Sequence, residues 1–134
     1  MKGMLLRFTL LIATLLMISA CESALTVERR TIGIRPGEFI YTDGYLRSAY
    51  PFSLDKVWAA CEKTLSEFKA TDIQRTRKIA TGTLIALIQD DKVRITADYL
   101  EKDLTAVSVM AGPSSSALTS RLIHDRIMTI LKNP

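Results

Sequence analysis

Two side chains in this sequence could combine into a reactive pair: Cys61, a thiol, and His124, the single imidazole. A thiolate forms readily at neutral pH only with a base or a positive neighbour, and a histidine within hydrogen-bond reach is the usual one. The surrounding pattern argues against that use. Cys61 falls in the middle of an apolar helical stripe, where a free cysteine behaves as a small hydrophobe. His124 falls at the flank of a second helix beside Arg121 and Asp125, an i,i+4 pair, and is expected exposed or half-exposed at the surface. With one histidine and no paired acids beyond Asp90 and Asp91, zinc is not expected. The G-x-S-x-G, Walker and dinucleotide fingerprints are absent, so no catalytic residue, metal or cofactor is assigned. Two binding features stand beside these. Ser114, Ser115 and Ser116 precede the second helix and are a candidate phosphate or carboxylate site at its positive end, or simply its turn and cap. Arg75, Arg77 and Lys78 on one strand, with Lys92 and Arg94 on another, are a candidate contact for anionic head groups on an open sheet face, or a solvated face.

The remaining cysteine, Cys21, ends a different kind of segment. Lys2 and Arg7 bracket the start, "FTLLIATLLMI" runs over residues 8–18, and Ser19 and Ala20 follow. That is the layout of a signal peptide, and the apolar run is well short of the ~20 residues a spanning helix needs. "ISAC", residues 18–21, resembles the lipobox of bacterial lipoproteins. The resemblance implies a thioether from the Cys21 sulfur to diacylglycerol, cleavage before Cys21, and further acylation of the new amine by chains such as palmitate. Several buried acyl chains, at about 0.8 kcal/mol per methylene, make a lasting membrane anchor without a spanning segment. Glu22 stands where an aspartate would signal inner-membrane retention in that family, which points to the periplasmic side of the outer membrane.

Removing residues 1–20 takes Lys2 and Arg7 away and leaves 16 basic against 14 acidic side chains, a net charge of +2. No dense basic run survives, so nucleic acid is not an expected partner. Cys61 would be the one thiol left, which rules out an intrachain disulfide and leaves stability to the core. Residues 21–38 are read as the lipidated cysteine and a tether. If flexible, residues 22–38 reach roughly 20–25 Å; "TIGI" within them is a candidate short edge strand.

Residues 39–132 carry the regular patterns. "EFIYTDGYLRSAY" reads as a strand with a turn or bulge at Asp43-Gly44. Ser53 caps a helix over 54–68 in which Leu54, Val57, Trp58, Cys61, Leu65 and Phe68 share one face. "TDIQRTRKI", "TLIALIQ", "KVRITADY" and "TAVSVMA" read as strands, the third alternating Val93, Ile95 and Ala97 against Lys92, Arg94 and Thr96. Tight turns are expected at Ala80-Thr81-Gly82, Asp90-Asp91 and Lys102-Asp103, forcing antiparallel neighbours. A second helix follows Gly112-Pro113, with Ile123, Ile127, Ile130 and Leu131 on one face with Ser116 and Ser120. The expected fold is α+β: a two-layer sandwich of a mainly antiparallel sheet of four to five strands with two helices on one face.

The layout "GYLRSAYPFSLDKVWAACEKTL", a hairpin-rich middle, and "AVSVMAGPSSSALTSRLIHDRI" resembles a family of small bacterial lipoproteins of unknown function. The likeness spans residues 44–131, rests mostly on packing residues and supplies no catalytic ones. The function expected is a lipid-anchored, non-enzymatic envelope protein, a structural or protein-binding module with an envelope protein partner and no set oligomeric state. The alternative is an anion- or small-ligand-binding module at the N-terminus of the second helix.

Overall fold

The computed structural model describes residues 3–4, 34–112 and 116–134. Cys21, Ser114, Ser115 and the "TIG" of the candidate edge strand lie outside the described residues. The elements are β1 (Ile40–Thr42), β2 (Tyr45–Tyr50), α1 (Leu54–Glu67), β3 (Thr71–Arg77), β4 (Thr81–Ile88), β5 (Asp91–Glu101), β6 (Leu104–Ala111) and α2 (Ala117–Lys132). All six strands form one sheet in the order β1-β2-β6-β5-β4-β3, and each neighbouring pair is antiparallel.

Six strands replace the four to five expected, and the reason lies at Asp43-Gly44. Both residues have positive φ, 53° and 81°, and Thr42 pairs with Tyr45. Two residues in the left-handed backbone region make a turn whose twist matches the right-handed twist of the paired strands, so the chain folds back and "EFIYTDGYLRSAY" makes two strands. The β4–β5 turn is built the same way at Gln89-Asp90, with φ of 49° and 66°, one residue before the expected Asp90-Asp91. Lys102-Asp103 joins β5 to β6, since Glu101 pairs with Leu104. Between β3 and β4 the link is residues 78–80, closed by Lys78 N–H donating to Thr81 O at 2.8 Å, so Thr81 and Gly82 already belong to β4.

Helix α1 starts where Ser53 Oγ accepts from Lys56 N–H and carries the chain from β2 across one face of the sheet to β3 at the far edge. It lies over β4, β5 and β6, while α2 lies over β2 and β6 and touches α1. Period-2 alternation supplies the matching sheet face: Leu84 and Ala86, Val93, Ile95 and Ala97, Val107, Val109 and Ala111 are buried. Each large aliphatic side chain removed from water here contributes about 1.5–3 kcal/mol. The helices contribute Leu54, Val57, Cys61 and Leu65 from α1 and Ile123, Ile127, Ile130 and Leu131 from α2, with Trp58 and Phe68 partly buried at the margin.

The compact unit runs from Ile34 to Pro134 and contains the whole of this core. It begins earlier than the Phe39 start read from the sequence. Ile34 is buried, Pro36 bridges Ala49, and Ser48 Oγ donates to Glu38 O at 2.8 Å. These contacts tie residues 34–38 to the outer edge of β2.

Candidate functional site

The pairing of Cys61 with His124 as a reactive couple finds no support in their surroundings. Cys61 is 0% exposed, and burial pushes its thiol up to about 12, so the thiolate does not form at neutral pH. His124 corrects the sequence reading: it is also 0% exposed, not at the surface. It sits four residues after Ser120 and three before Ile127, both buried, so helical geometry turns it toward the sheet. Nε2 lies 2.8 Å from Leu46 O, a carbonyl that can only accept, so Nε2 carries the proton. Nδ1 is then bare and accepts from the Tyr50 hydroxyl at 2.6 Å. Phe39 meets the imidazole edge-on with ring centroids 5.4 Å apart, and the Arg121 guanidinium lies 3.8 Å over the Phe39 ring. Burial, the dominant cause, lowers the His124 pKa to about 4, while burial and the nearby Cys61 hold the Tyr50 phenol above its ordinary range. The group is a satisfied polar insert that joins α2 to β2. The positional signal was present in the sequence, because His124 falls within the arc defined by Ser120, Ile123 and Ile127.

The basic residues do not gather on one face. Arg75 pairs with Leu84 and Arg77 with Gly82 in the β3–β4 register, which puts both on the helix side of the sheet. There Arg75 Nε is 3.2 Å from Glu62 and Arg77 Nη2 is 2.8 Å from Asp55, both acids on α1. Arg77 also lies over the Trp58 ring at 5.8 Å. Lys92 and Arg94 pair with Leu87 and Ile85 and project from the opposite, uncovered face. Parity decides this: Ile73 is the one aliphatic residue in "TDIQRTR", and residues 75 and 77 follow its side of the strand.

On the uncovered face a cleft of about 490 Å³ is lined by Tyr45, Asp90, Asp91, Lys92, Arg94, Met110 and Gly112. Its acids come from the β4–β5 hairpin, and Gly112, with φ of 73°, donates its N–H to Lys92 O at 2.8 Å to close the rim. None of the four charged side chains is ion-paired within the described residues. Two cations beside two anions suit a ligand carrying both signs better than a purely anionic surface. The described residues contain no group of three or more His, Cys, Asp or Glu side chains placed to hold a metal ion.

Of the serine triplet, only Ser116 is among the described residues. Its Oγ accepts from Thr119 N–H at 3.3 Å as the cap of α2, and its own N–H donates to Ala111 O at 2.7 Å. Both groups are therefore engaged within the chain.

None of the curated proteins matches this chain. A family model described as "Protein of unknown function (DUF3568)" matches residues 4–129, covering the N-terminal segment and nearly all of the α+β domain. The match takes in well over half of the chain, and the chain belongs to that family of proteins of unknown function.

Proposed function

We propose that the chain is a bacterial envelope lipoprotein, anchored by lipid on Cys21 at the periplasmic side of the outer membrane, whose α+β domain is a non-enzymatic structural or protein-binding module. The observation that carries this reading is the run over residues 8–18 ending in Ile18-Ser19-Ala20-Cys21. Its length suits a cleaved leader better than a span, and its terminal thiol suits diacylglycerol transfer. Among the described residues no helix is long and apolar enough to cross a membrane. The domain adds support of another kind. Its one thiol is buried with a raised pKa, and its one imidazole is held neutral by two hydrogen bonds, so both serve packing.

Cys21→Ser tests the anchor. Metabolic labelling with an alkyne palmitate should mark the wild type and not the variant, and the variant should keep its leader and migrate as the larger precursor. A variant that is still labelled, or is trimmed to the wild-type size, refutes the lipoprotein reading. Crosslinking of the anchored protein in intact cells then tests the module, with a discrete protein adduct as the expected product.

A further inference from the structure

A second cavity, of about 600 Å³, lies on the other side of the molecule between α1 and the C-terminal turns of α2. Phe52, Ala59 and Ile130 supply an apolar floor, and Lys56, Lys63 and Lys132 stand around it. Small residues open it: Ala59 on α1 leaves the gap that a longer side chain would fill. No acidic side chain lines it; the one anion in the lining is the main-chain carboxylate of Pro134, which makes no ion pair with the three lysines.

The carboxylates of α1 do not serve these lysines. All three acids of α1 are engaged elsewhere: Asp55 with Arg77, Glu62 with Arg75, and Glu67 with Arg126 of α2. Lys63 influences Glu67 one turn away, but that carboxylate is hydrogen-bonded to Arg126. None of the three ammonium groups is within ion-pair distance of a carboxylate among the described residues. An apolar trough bordered by three lysines, none of them ion-paired among the described residues and outnumbering the single carboxylate in the lining, is complementary to a molecule with an apolar tail and an anionic head. Its volume falls in the range of about 300–1,000 Å³ typical of small-molecule sites.

We propose that this groove binds a single-chain anionic amphiphile, an alkyl chain ending in a carboxylate or phosphate, with the tail along Ala59 and Ile130 and the head among Lys56, Lys63 and Lys132. The site does not depend on the Cys21 anchor. Failure of one leaves the other standing.

The test uses the chain from Glu22 on, which keeps the whole compact unit and its core. Calorimetric titration with dodecyl phosphate and dodecanoate, both below their micelle concentrations, should give saturable one-to-one binding. Dodecyltrimethylammonium should bind at least about tenfold more weakly, and inorganic phosphate at the same concentration should not compete. Lys56→Gln/Lys63→Gln should weaken the anionic ligands about tenfold and leave the cationic one bound no more weakly than before. Ala59→Trp should block all of them while the thermal melt stays cooperative; if that variant does not fold, the lysine pair decides alone. Equal affinity for both head-group charges would reduce the groove to a nonspecific apolar patch. Displacement by inorganic phosphate would make it a simple anion site. Binding to phosphatidylglycerol vesicles with none to the monomeric amphiphiles would make it a bilayer-facing surface, and each of these outcomes overturns the proposal.

Discussion

His124 is held neutral because charging it would put a cation in the core and break the hydrogen bond that bare Nδ1 accepts from Tyr50. Its pKa is near 4 in the folded chain and near the ordinary 6.5 when unfolded, so the unfolded state binds the proton first. The stabilisation from the neutral ring is complete above pH 6.5 and is lost as pH falls toward 4. By pH 5, where most carboxylates are still ionised, the loss should be about 2 kcal/mol. Urea titrations at pH 7.5, 6 and 5 should show this slope in the wild type. His124→Phe should be less stable at pH 7.5, since Leu46 O and the Tyr50 hydroxyl lose a partner, but should show little slope across the same window. A wild type that is flat from pH 7.5 to 5 would contradict the neutral buried imidazole.

The contact of Trp58 in α1 with the sheet requires one glycine. A Cβ placed on Gly82 would stand 2.6 Å from Trp58 Cε3, so the indole lies directly on the β4 backbone, with the Arg77 guanidinium 5.8 Å from the ring centroid. Gly82→Ala must therefore displace the ring or the strand, at a cost of about 1–3 kcal/mol. Trp58 is the only tryptophan, and its fluorescence should report the displacement directly. Trp58→Ala should cost less than the roughly 3–5 kcal/mol of a fully buried aromatic, because the indole is only partly buried. In the Trp58→Ala background, Gly82→Ala should become nearly neutral. Additive costs in that double-mutant cycle would show that the glycine serves some other purpose.

Within the compact unit, the sheet brings its first hairpin and its last strand together. β2 pairs with β6, so the first hairpin and the last strand are neighbours, and α2 is laid over their junction. The order of strands makes residues 34–38 a structural part of that edge, through Ile34, the Pro36 bridge to Ala49 and the Ser48–Glu38 hydrogen bond. A chain beginning at Phe39 should accordingly melt several degrees below one beginning at Ile34, about 4–8 °C for each 1 kcal/mol lost in a domain of this size. Thermal denaturation by circular dichroism makes the comparison. Equal melting temperatures would mean that the segment is tether after all.

Local pattern was sufficient for much of this protein. The helical stripe through Leu54, Val57, Cys61 and Leu65, the alternation of Val93, Ile95 and Ala97, and the α+β class follow from side-chain periodicity, which is a property of neighbouring residues. That a serine caps α2 was also legible, because capping is decided within one turn; that it is Ser116, read from the sequence as a residue of the helix face, is shown by the structure. What the sequence did not show is whatever depends on partners distant along the chain. Asp43-Gly44 could make a bulge or a hairpin, and only the pairing of Thr42 with Tyr45 decides between them. Arg75 and Arg94 are on opposite faces because strand register assigns them there, and a register is a relation between strands. His124 was read beside Arg121 and Asp125 as a surface residue, because a polar side chain on a helix is usually solvated unless something across the core can satisfy it. Tyr50 and the Leu46 carbonyl, 74 and 78 residues away in sequence, are that something, and only the tertiary structure brings them within hydrogen-bond distance.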